Sequence, residues 1–236
     1  ITALAGCGSD SSSAPEDINT LPSFITGAVS KTTYDGTTND LLTAGLGKTG
    51  LQGAAPTFVD PPNPTPAELR RNAIYVNYRA LTDFSTNGGF GTLFGPNVGL
   101  NGATIANDGK FAGDESITYA DDGTGKLNVT MMVQVPSTFD VNNPCIVTAT
   151  SSGSRGVYGA VGTVGEWGNT RGCAVAYTDK GSGNGMHDLQ NDKVTLQNGT
   201  VTTAAAAGKN SQFTAALSAA ELAAFLSRSV RVEGKA

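Results

Sequence analysis

Two side chains in the C-terminal half have the types that nucleophilic acyl transfer requires. Ser154 lies in Ser152–Gly156, an S-x-S-x-G run between an apolar segment and a predicted helix. A serine at a sharp strand-to-helix turn is exposed and can attack a carbonyl carbon. His187, the only histidine in the sequence, is a candidate base, with Asp179 or Asp188 orienting its ring. One hypothesis is therefore that Ser154 is a nucleophile.

The elements around this run form a predicted βαβ unit. Cys145–Ala149 is apolar and β-branched, which is typical of a strand buried on both faces. Val157–Thr170 then places apolar residues, Trp167 among them, at helical spacing. Cys173–Tyr177 is a second apolar strand. The order strand, helix, strand predicts a parallel pair of strands.

The cysteines allow a disulfide but no metal site. Cys145 and Cys173 open the two predicted strands, so adjacent strands would bring them within bonding range. Two inert buried thiols are the alternative. The sequence contains no C-x-x-C motif or Cys/His cluster, so no metal is expected.

The first half of the chain contributes further predicted elements. Phe24–Val29 is a candidate short strand, and Ser116–Ala120 with Asn128–Val135 a candidate hairpin. A helix is predicted from the Thr65 cap, with its capping box, to about Leu81. Its predicted buried residues are Leu69, Ala73, Val76 and Ala80, and its predicted polar residues are Arg70, Arg71, Asn77 and Arg79.

Composition excludes some classes of partner. The chain has 236 residues and a net charge of −5, with 15 Lys and Arg residues and no basic cluster. Nucleic acid is therefore not an expected partner. No run of 18 apolar residues is present, so no membrane-spanning segment is expected.

The N-terminus indicates export. Leu4–Cys7 resembles the lipobox of bacterial lipoproteins, in which the cysteine is lipidated, and the Ser-rich run Gly8–Ser13 suits a flexible tether. A chance run of small residues is the alternative. We expect residues 1–20 to be a signal-peptide remnant and tether, and the protein to be secreted or an outer-membrane lipoprotein anchored through Cys7.

The order of elements resembles the opening half of an α/β-hydrolase. In that fold the turn after the third strand donates a backbone N–H to the oxyanion hole. The resemblance makes Ser152, Gly153 and Ser154 the oxyanion-hole candidates. The predicted fold class is α/β, with an incomplete α/β-hydrolase-like mixed sheet in residues 111–236. Residues 21–110 are predicted to form an N-terminal extension with one helix.

Several longer segments resemble the bacterial D-(−)-3-hydroxybutyrate oligomer hydrolases, over Leu21 to Phe225. They are SKTTYDG, NDLLTAGLGKTGL, AELRRNAIYVNYRAL, GPNV, VTATSSGSRGVYGA, GEWG and RGCAVAY. The resemblance implies a serine esterase that releases monomer from soluble oligomers in poly(3-hydroxybutyrate) degradation. It implies a small-molecule substrate, no cofactor and no metal, and no protein partner is inferred.

The same resemblance implies that the nucleophile lies elsewhere. Members of that family are longer, and their serine, acid and histidine lie further along the chain, so no catalytic residue is assigned here. We expect an N-terminal portion, from a truncated or frame-shifted gene or a fragment, that is poorly active or inactive alone. The alternative is a lipid-anchored, non-catalytic surface or binding protein. Hydrolysis of a short-chain p-nitrophenyl ester separates an active enzyme from both.

Overall fold

The computed structural model describes residues 20–25, 28–85, 87–121, 129–151, 155–181, 187–196, 198–211, 214–215 and 217–225. These residues form a mixed α/β structure with a five-stranded mixed sheet and a three-stranded sheet. The strands are β1 (Ser30–Tyr34), β2 (Gly113–Ala120), β3 (Val129–Pro136), β4 (Ile146–Thr150), β5 (Ala174–Thr178), β6 (His187–Asp188), β7 (Lys193–Thr195) and β8 (Val201–Thr202). The α-helices are α1 (Gly47–Gln52), α2 (Pro66–Leu81), α3 (Glu166–Asn169) and α4 (Ala204–Ala207), and residues 219–225 are also helical.

The large sheet has the order β1-β2-β3-β5-β4. The predicted hairpin is confirmed, since β2 pairs with β3 in antiparallel register from Gly113↔Pro136 to Ala120↔Val129. Strand β3 is also antiparallel to β5, and β4 is parallel to β5. The parallel pair predicted from the βαβ pattern is therefore present. The sheet is therefore antiparallel from β1 to β5, and its last pair, β5 and β4, is parallel.

Residues from the predicted N-terminal extension take part in this sheet. Strand β1 pairs with β2, from Ser30↔Ile117 to Tyr34↔Gly113. The predicted strand at Phe24–Val29 is wrong as to position: Ile25 makes only an isolated bridge to Ala120, and the strand begins at Ser30. Residues 26–27 lie outside the described part of the chain.

The prediction that the strand after Cys145 is buried on both faces is wrong. Ala149 is the only buried residue of β4, and Ile146 is 70% exposed. Among the described residues, β4 pairs only with β5 and forms the edge of the sheet. An edge strand has fewer neighbours to cover its side chains, which explains the exposure.

Cys145 and Cys173 form a disulfide in the structure. Their Cα atoms are 4.5 Å apart, because they precede two neighbouring parallel strands in matching register.

The single helix predicted over Val157–Thr170 is wrong in its geometry. The chain forms a 3₁₀ turn (Val157–Ala160), a π turn (Val161–Gly165) and then α3. Glycines let this segment approach its neighbours closely: a Cβ on Gly168 would lie 2.5 Å from the Val175 side chain. Trp167 is 51% exposed and stacks under the Arg171 guanidinium instead of entering the core.

Helix α2 begins as predicted, and its capping box is present. The Thr65 hydroxyl accepts a hydrogen bond from the Glu68 N–H, and Glu68 accepts one from the Thr65 N–H. Hydrogen bonds from the Val59 N–H, the Thr65 hydroxyl and the Thr65 N–H lower the pKa of Glu68 to about 2. The helix reaches Leu81, the predicted end.

The predicted buried face of α2 is wrong for Val76 and Ala80, which are exposed, whereas Leu69 and Ala73 are half-buried and Ala73 packs against the core. The buried residues of the helix are Arg70, Ile74, Tyr75, Asn77 and Tyr78, whereas Val76 is 53% exposed. Tyrosine and arginine carry long apolar stems that pack well once their polar ends are bonded. The core therefore lies between this face, the segment after β4 and the sheet. Its largest members with almost no exposure are Leu42, Leu51, Ile74, Tyr78, Met132, Val157, Val161 and Val175.

Within the described part of the chain, no helix has both the length and the apolar character that a membrane crossing requires.

Candidate functional site

The parallel strands β4 and β5 end at the same edge of the large sheet. In open α/β sheets, ligands bind outside the carboxyl ends of the strands. The loop that follows β4 contains the oxyanion candidates Ser152, Gly153 and Ser154, which lie outside the described residues. The described residues on either side of them show how the loop is held.

Both ends of this loop are fixed. The buried Ser151 donates its N–H to the Thr178 carbonyl oxygen, at 2.8 Å, which extends the β4–β5 pairing by one residue. Gly156, where the chain turns into the helical segment, has a φ of +64°, a value that glycine adopts without strain. A Cβ on Gly159 would lie 2.5 Å from the Ser151 hydroxyl and 2.7 Å from the Arg155 Cβ. The two ends of the loop therefore both pack against Gly159.

Asp179 lies just after β5, at the same sheet edge. It is buried and accepts hydrogen bonds from the Thr130 N–H, at 3.1 Å, and the Gly181 N–H, at 2.8 Å. These bonds join the end of β5 to the start of β3. Among the described residues, its Oδ2 has no hydrogen-bond partner.

His187 lies in strand β6, with a side chain that is only 8% exposed. Its Nε2 is 3.2 Å from Asp192 Oδ1, and its Nδ1 accepts a hydrogen bond from the Ala215 N–H, at 3.1 Å. Because Nδ1 accepts, this bonding assigns the ring proton to Nε2. The acid beside the ring is therefore Asp192, whereas Asp188 accepts hydrogen bonds from Gln190 and Asn191.

A buried ion pair lies between α2 and β2. Arg70 Nε donates to Glu115 Oε1 at 2.9 Å, and Nη2 donates to Glu115 Oε2 at 2.8 Å. The side chains are 7% and 5% exposed. Arg70 also donates to the Leu41 carbonyl oxygen and stacks on the Tyr34 ring. Such bidentate geometry compensates for much of the cost of burying the two charges.

The pair extends into a wider polar network. Gln134 Nε2 donates to Glu115 Oε2 at 2.9 Å, and Gln134 Oε1 accepts from the Tyr177 hydroxyl at 2.7 Å and from Asn169 at 3.1 Å. The network thereby joins α2, three strands of the sheet and α3. Burial and the nearby Glu115 charge raise the pKa of Tyr34, which contacts the same carboxylate, to about 12.

A cleft of about 1330 Å³ opens beside this network. It lies between α2, the proline-rich connector before it, strands β1 and β2, and the small sheet β6–β8. Its lining includes Leu69, Ala73, Val76, Ala80, Arg155 and Lys193. The first four are the stripe that was predicted to be buried. The apolar periodicity of α2 therefore describes a cleft wall.

A half-buried carboxyl group lies at the other side of α2. Glu166 accepts hydrogen bonds from the Tyr78 hydroxyl, at 3.1 Å, and the Gly95 N–H, at 3.0 Å. Burial raises the pKa of Glu166 to about 7, although these two bonds act in the opposite direction. The group ties the loop around Gly95 to the helical segment after β4.

The described residues contain no group of three or more His, Cys, Asp or Glu side chains arranged to hold a metal ion.

Sequence reasoning missed the ion pair and the cleft for different reasons. Arg70 and Glu115 are 45 residues apart, and nothing local links them. The cleft wall does correspond to a sequence pattern, the apolar residues at helical spacing from Leu69 to Ala80. The same pattern is typical of a buried helix face.

The chain matches the family described as 3HB-oligomer hydrolase over residues 3–234. A curated relative from Polaromonas naphthalenivorans (strain CJ2), named D-(-)-3-hydroxybutyrate oligomer hydrolase, is 63% identical over 225 residues, which are 95% of this chain and 32% of the relative. A relative of the same name from Burkholderia ambifaria is 57% identical over 228 residues, 97% of this chain and 32% of that protein.

The chain thus spans about a third of the length of the curated relatives it matches. No solved structure matches it. The match covers almost every residue of the chain and includes the loop after β4, helix α2 and the network between them. The chain therefore belongs to the 3HB-oligomer hydrolase family.

Proposed function

We propose that this chain forms the first part of an α/β-hydrolase-type serine esterase that hydrolyses D-(−)-3-hydroxybutyrate oligomers to monomers. In this proposal it supplies the oxyanion side of the active site, while the nucleophile, acid and histidine come from further along a longer polypeptide. The observation that carries the proposal is the strand order β1-β2-β3-β5-β4.

The strand order supports the fold. Strands β2 and β3 form the antiparallel hairpin, β4 is placed further out, and β5 then inserts between β3 and β4. An α/β-hydrolase sheet begins in this order, and the loop after its first parallel strand is the one that donates to the oxyanion hole. Here that strand is β4, and its loop contains Ser152, Gly153 and Ser154.

The proposed chemistry is acyl transfer to a serine followed by hydrolysis, without a metal or an organic cofactor. As the serine attacks, the ester carbonyl oxygen gains negative charge, and a backbone N–H of the loop donates to it. The described ends of the loop favour this role. Ser151 and Arg155, the described residues on either side of the loop, both pack against Gly159, and this packing supports a loop whose ends are fixed before the charge develops. A donor that is fixed in advance needs little reorganisation during the reaction.

Export as a lipoprotein belongs to the same proposal. A disulfide such as Cys145–Cys173 forms in oxidising compartments, which supports export. Lipidation of Cys7 would then anchor the protein to the outer membrane. Mass spectrometry of the N-terminal peptide from the native bacterium tests this: the peptide should carry a diacylglyceryl group.

The activity is tested with a chimera. Residues 1–236 replace the corresponding third of the Polaromonas naphthalenivorans relative, and release of monomer from a hydroxybutyrate trimer is measured. We expect the chimera to hydrolyse the trimer and the 236-residue chain to show no turnover. A soluble, folded chimera without activity would overturn the proposal, provided that the unaltered relative is active in the same assay.

A further inference from the structure

We propose that the cleft beside α2 binds the hydroxybutyrate chain, with Arg155 and Lys193 attracting its carboxylate end. This inference rests on the proposed function, because it identifies the ligand by the substrate class proposed there. It adds a location and named specificity residues. Four features of the cleft support it: its wall, its size, its charge and its position.

The wall of the cleft is apolar along most of one helix. Leu69, Ala73, Val76 and Ala80 occur at helical spacing, and the 11 residue steps from first to last correspond to about 17 Å of helix. Val76 is 53% exposed although it lies between buried residues of the same helix. A methyl-branched ester chain offers apolar surface along its whole length, and its burial against this wall would be favourable.

The size of the cleft favours a chain over a single monomer. Pockets for small ligands are about 300–1,000 Å³. The cleft, at about 1330 Å³, exceeds that range. Its lining includes residues of the proline-rich connector and of strands β7 and β8. A space of this volume can hold more than one hydroxybutyrate unit.

The charge of the cleft complements a carboxylate. Arg70 and Glu115, at its base, neutralise each other. Arg155 and Lys193 also line it, and neither belongs to an ion pair among the described residues. Asp188, the remaining charged residue of the lining, accepts hydrogen bonds from its own turn. Asp188 also lies opposite Lys193 in the β6–β7 register, so the lining has three positive and two negative side chains, an excess of one positive charge in a chain whose net charge is −5.

The position of Arg155 connects the cleft to the proposed active site. Arg155 lines the cleft and directly follows the oxyanion candidates Ser152, Gly153 and Ser154 in the chain. A chain bound along α2 would therefore lie beside Arg155. The ester to be cleaved would be the one next to this residue, with the rest of the oligomer against the helix.

Binding by the 236-residue chain tests the inference directly. A hydroxybutyrate trimer and its methyl ester are titrated into the protein by calorimetry, with thermal melting of every variant to verify folding. Val76→Trp fills the cleft and should weaken trimer binding at least tenfold. Its control is Leu81→Trp, an exposed residue of the same helix outside the cleft lining, which should bind as the parent does.

The charge is tested with a second matched pair. Arg155→Gln should weaken binding of the free acid about tenfold and leave the methyl ester unchanged. Lys180→Gln removes one positive charge from an exposed residue outside the cleft lining and should change neither. If a folded parent does not bind the trimer, or if Val76→Trp binds it as the parent does, the inference is wrong.

Failure of the inference is distinguishable from failure of the proposed function. In the chimera, Val76→Trp should raise KM for the trimer. An active chimera whose KM is unaffected would contradict the cleft assignment and leave the esterase proposal intact. An inactive chimera alongside trimer binding by the 236-residue chain would contradict the esterase proposal alone.

Discussion

Arg70 and Glu115 join the floor of the cleft to the core of the molecule. Their two hydrogen bonds, at 2.9 and 2.8 Å, satisfy charges that are almost fully shielded from water. Gln134 extends the hydrogen-bond network to Tyr177 and Asn169. Loss of one partner would leave a buried charge without compensation, which costs far more than an exposed ion pair contributes.

Substitution of Arg70 should therefore destabilise the protein strongly. We expect Arg70→Ala to lower the free energy of unfolding by about 3 to 5 kcal/mol, measured by urea denaturation. Arg79→Ala, on the exposed side of the same helix, should cost at most about 1 kcal/mol. The double variant Arg70→Leu/Glu115→Leu should be more stable than Arg70→Ala. A cost below 1 kcal/mol for Arg70→Ala would contradict the role of the pair.

Glu166 makes stability depend on pH in a definite direction. Its pKa is raised from 4.5 to about 7 in the folded protein, so between these values the folded state holds more protons than the unfolded state. Stability should then fall as pH rises from 4.5 to 7, with a slope of at most about 1.4 kcal/mol per pH unit from this group, and stay level above 7.

The contribution of Glu166 is isolated by a comparison with Glu166→Gln. The variant should lose the part of the slope between pH 4.5 and 7 that the parent shows in urea denaturation. An identical pH dependence in parent and variant would show that Glu166 is charged in the folded state.

At the scale of the elements, α2 shows how far the sequence can predict this fold. Its start, its capping box and its end at Leu81 follow from local rules and are present. The face that it buries depends on Glu115, which is far away in the chain, and on how much apolar stem tyrosines bring to a core. Apolar periodicity alone cannot distinguish a buried face from the wall of a cleft.

The strands likewise have features that the sequence predicts and features that it does not. The β2–β3 hairpin and the parallel β4–β5 pair follow from alternation, turns and the βαβ pattern. The exposure of Ile146 does not follow from these patterns, because it depends on which strand lies beside β4 and not on the residues of β4. The mixture of 3₁₀, π and α turns after Gly156 likewise reflects close approach to Tyr78 and Val175.

The free edge of β4 gives a prediction for hydrogen exchange. Ser151 donates its N–H to β5, so by alternation the N–H groups of Val147 and Ala149 also point to β5, and those of Thr148 and Thr150 point to the edge. We expect Thr148 and Thr150 to exchange fast in the 236-residue chain and slowly in the chimera. Val147 and Ala149, the internal controls, should be slow in both. Fast exchange of Thr148 in an active chimera would contradict a continuing parallel sheet.

At the scale of the whole molecule, the chain has a core, a disulfide and a cleft, and spans about a third of its curated relatives. Long matching segments were sufficient to predict the family, which is confirmed. The location of the nucleophile, by contrast, stays a prediction. Ser154 lies outside the described residues, and His187 bonds Asp192 and Ala215.

We propose that residues 1–236 contribute the oxyanion side and the binding cleft, and that the nucleophile lies outside them. The direct measurement is mass-spectrometric mapping of a fluorophosphonate adduct on the active chimera, for the parent and for Ser154→Ala. We predict that the adduct lies on a serine beyond the 236-residue segment and that Ser154→Ala, which keeps its backbone N–H, is still labelled and active. An adduct on Ser154 that is lost together with activity in Ser154→Ala would contradict the proposal that the nucleophile lies beyond the 236-residue segment.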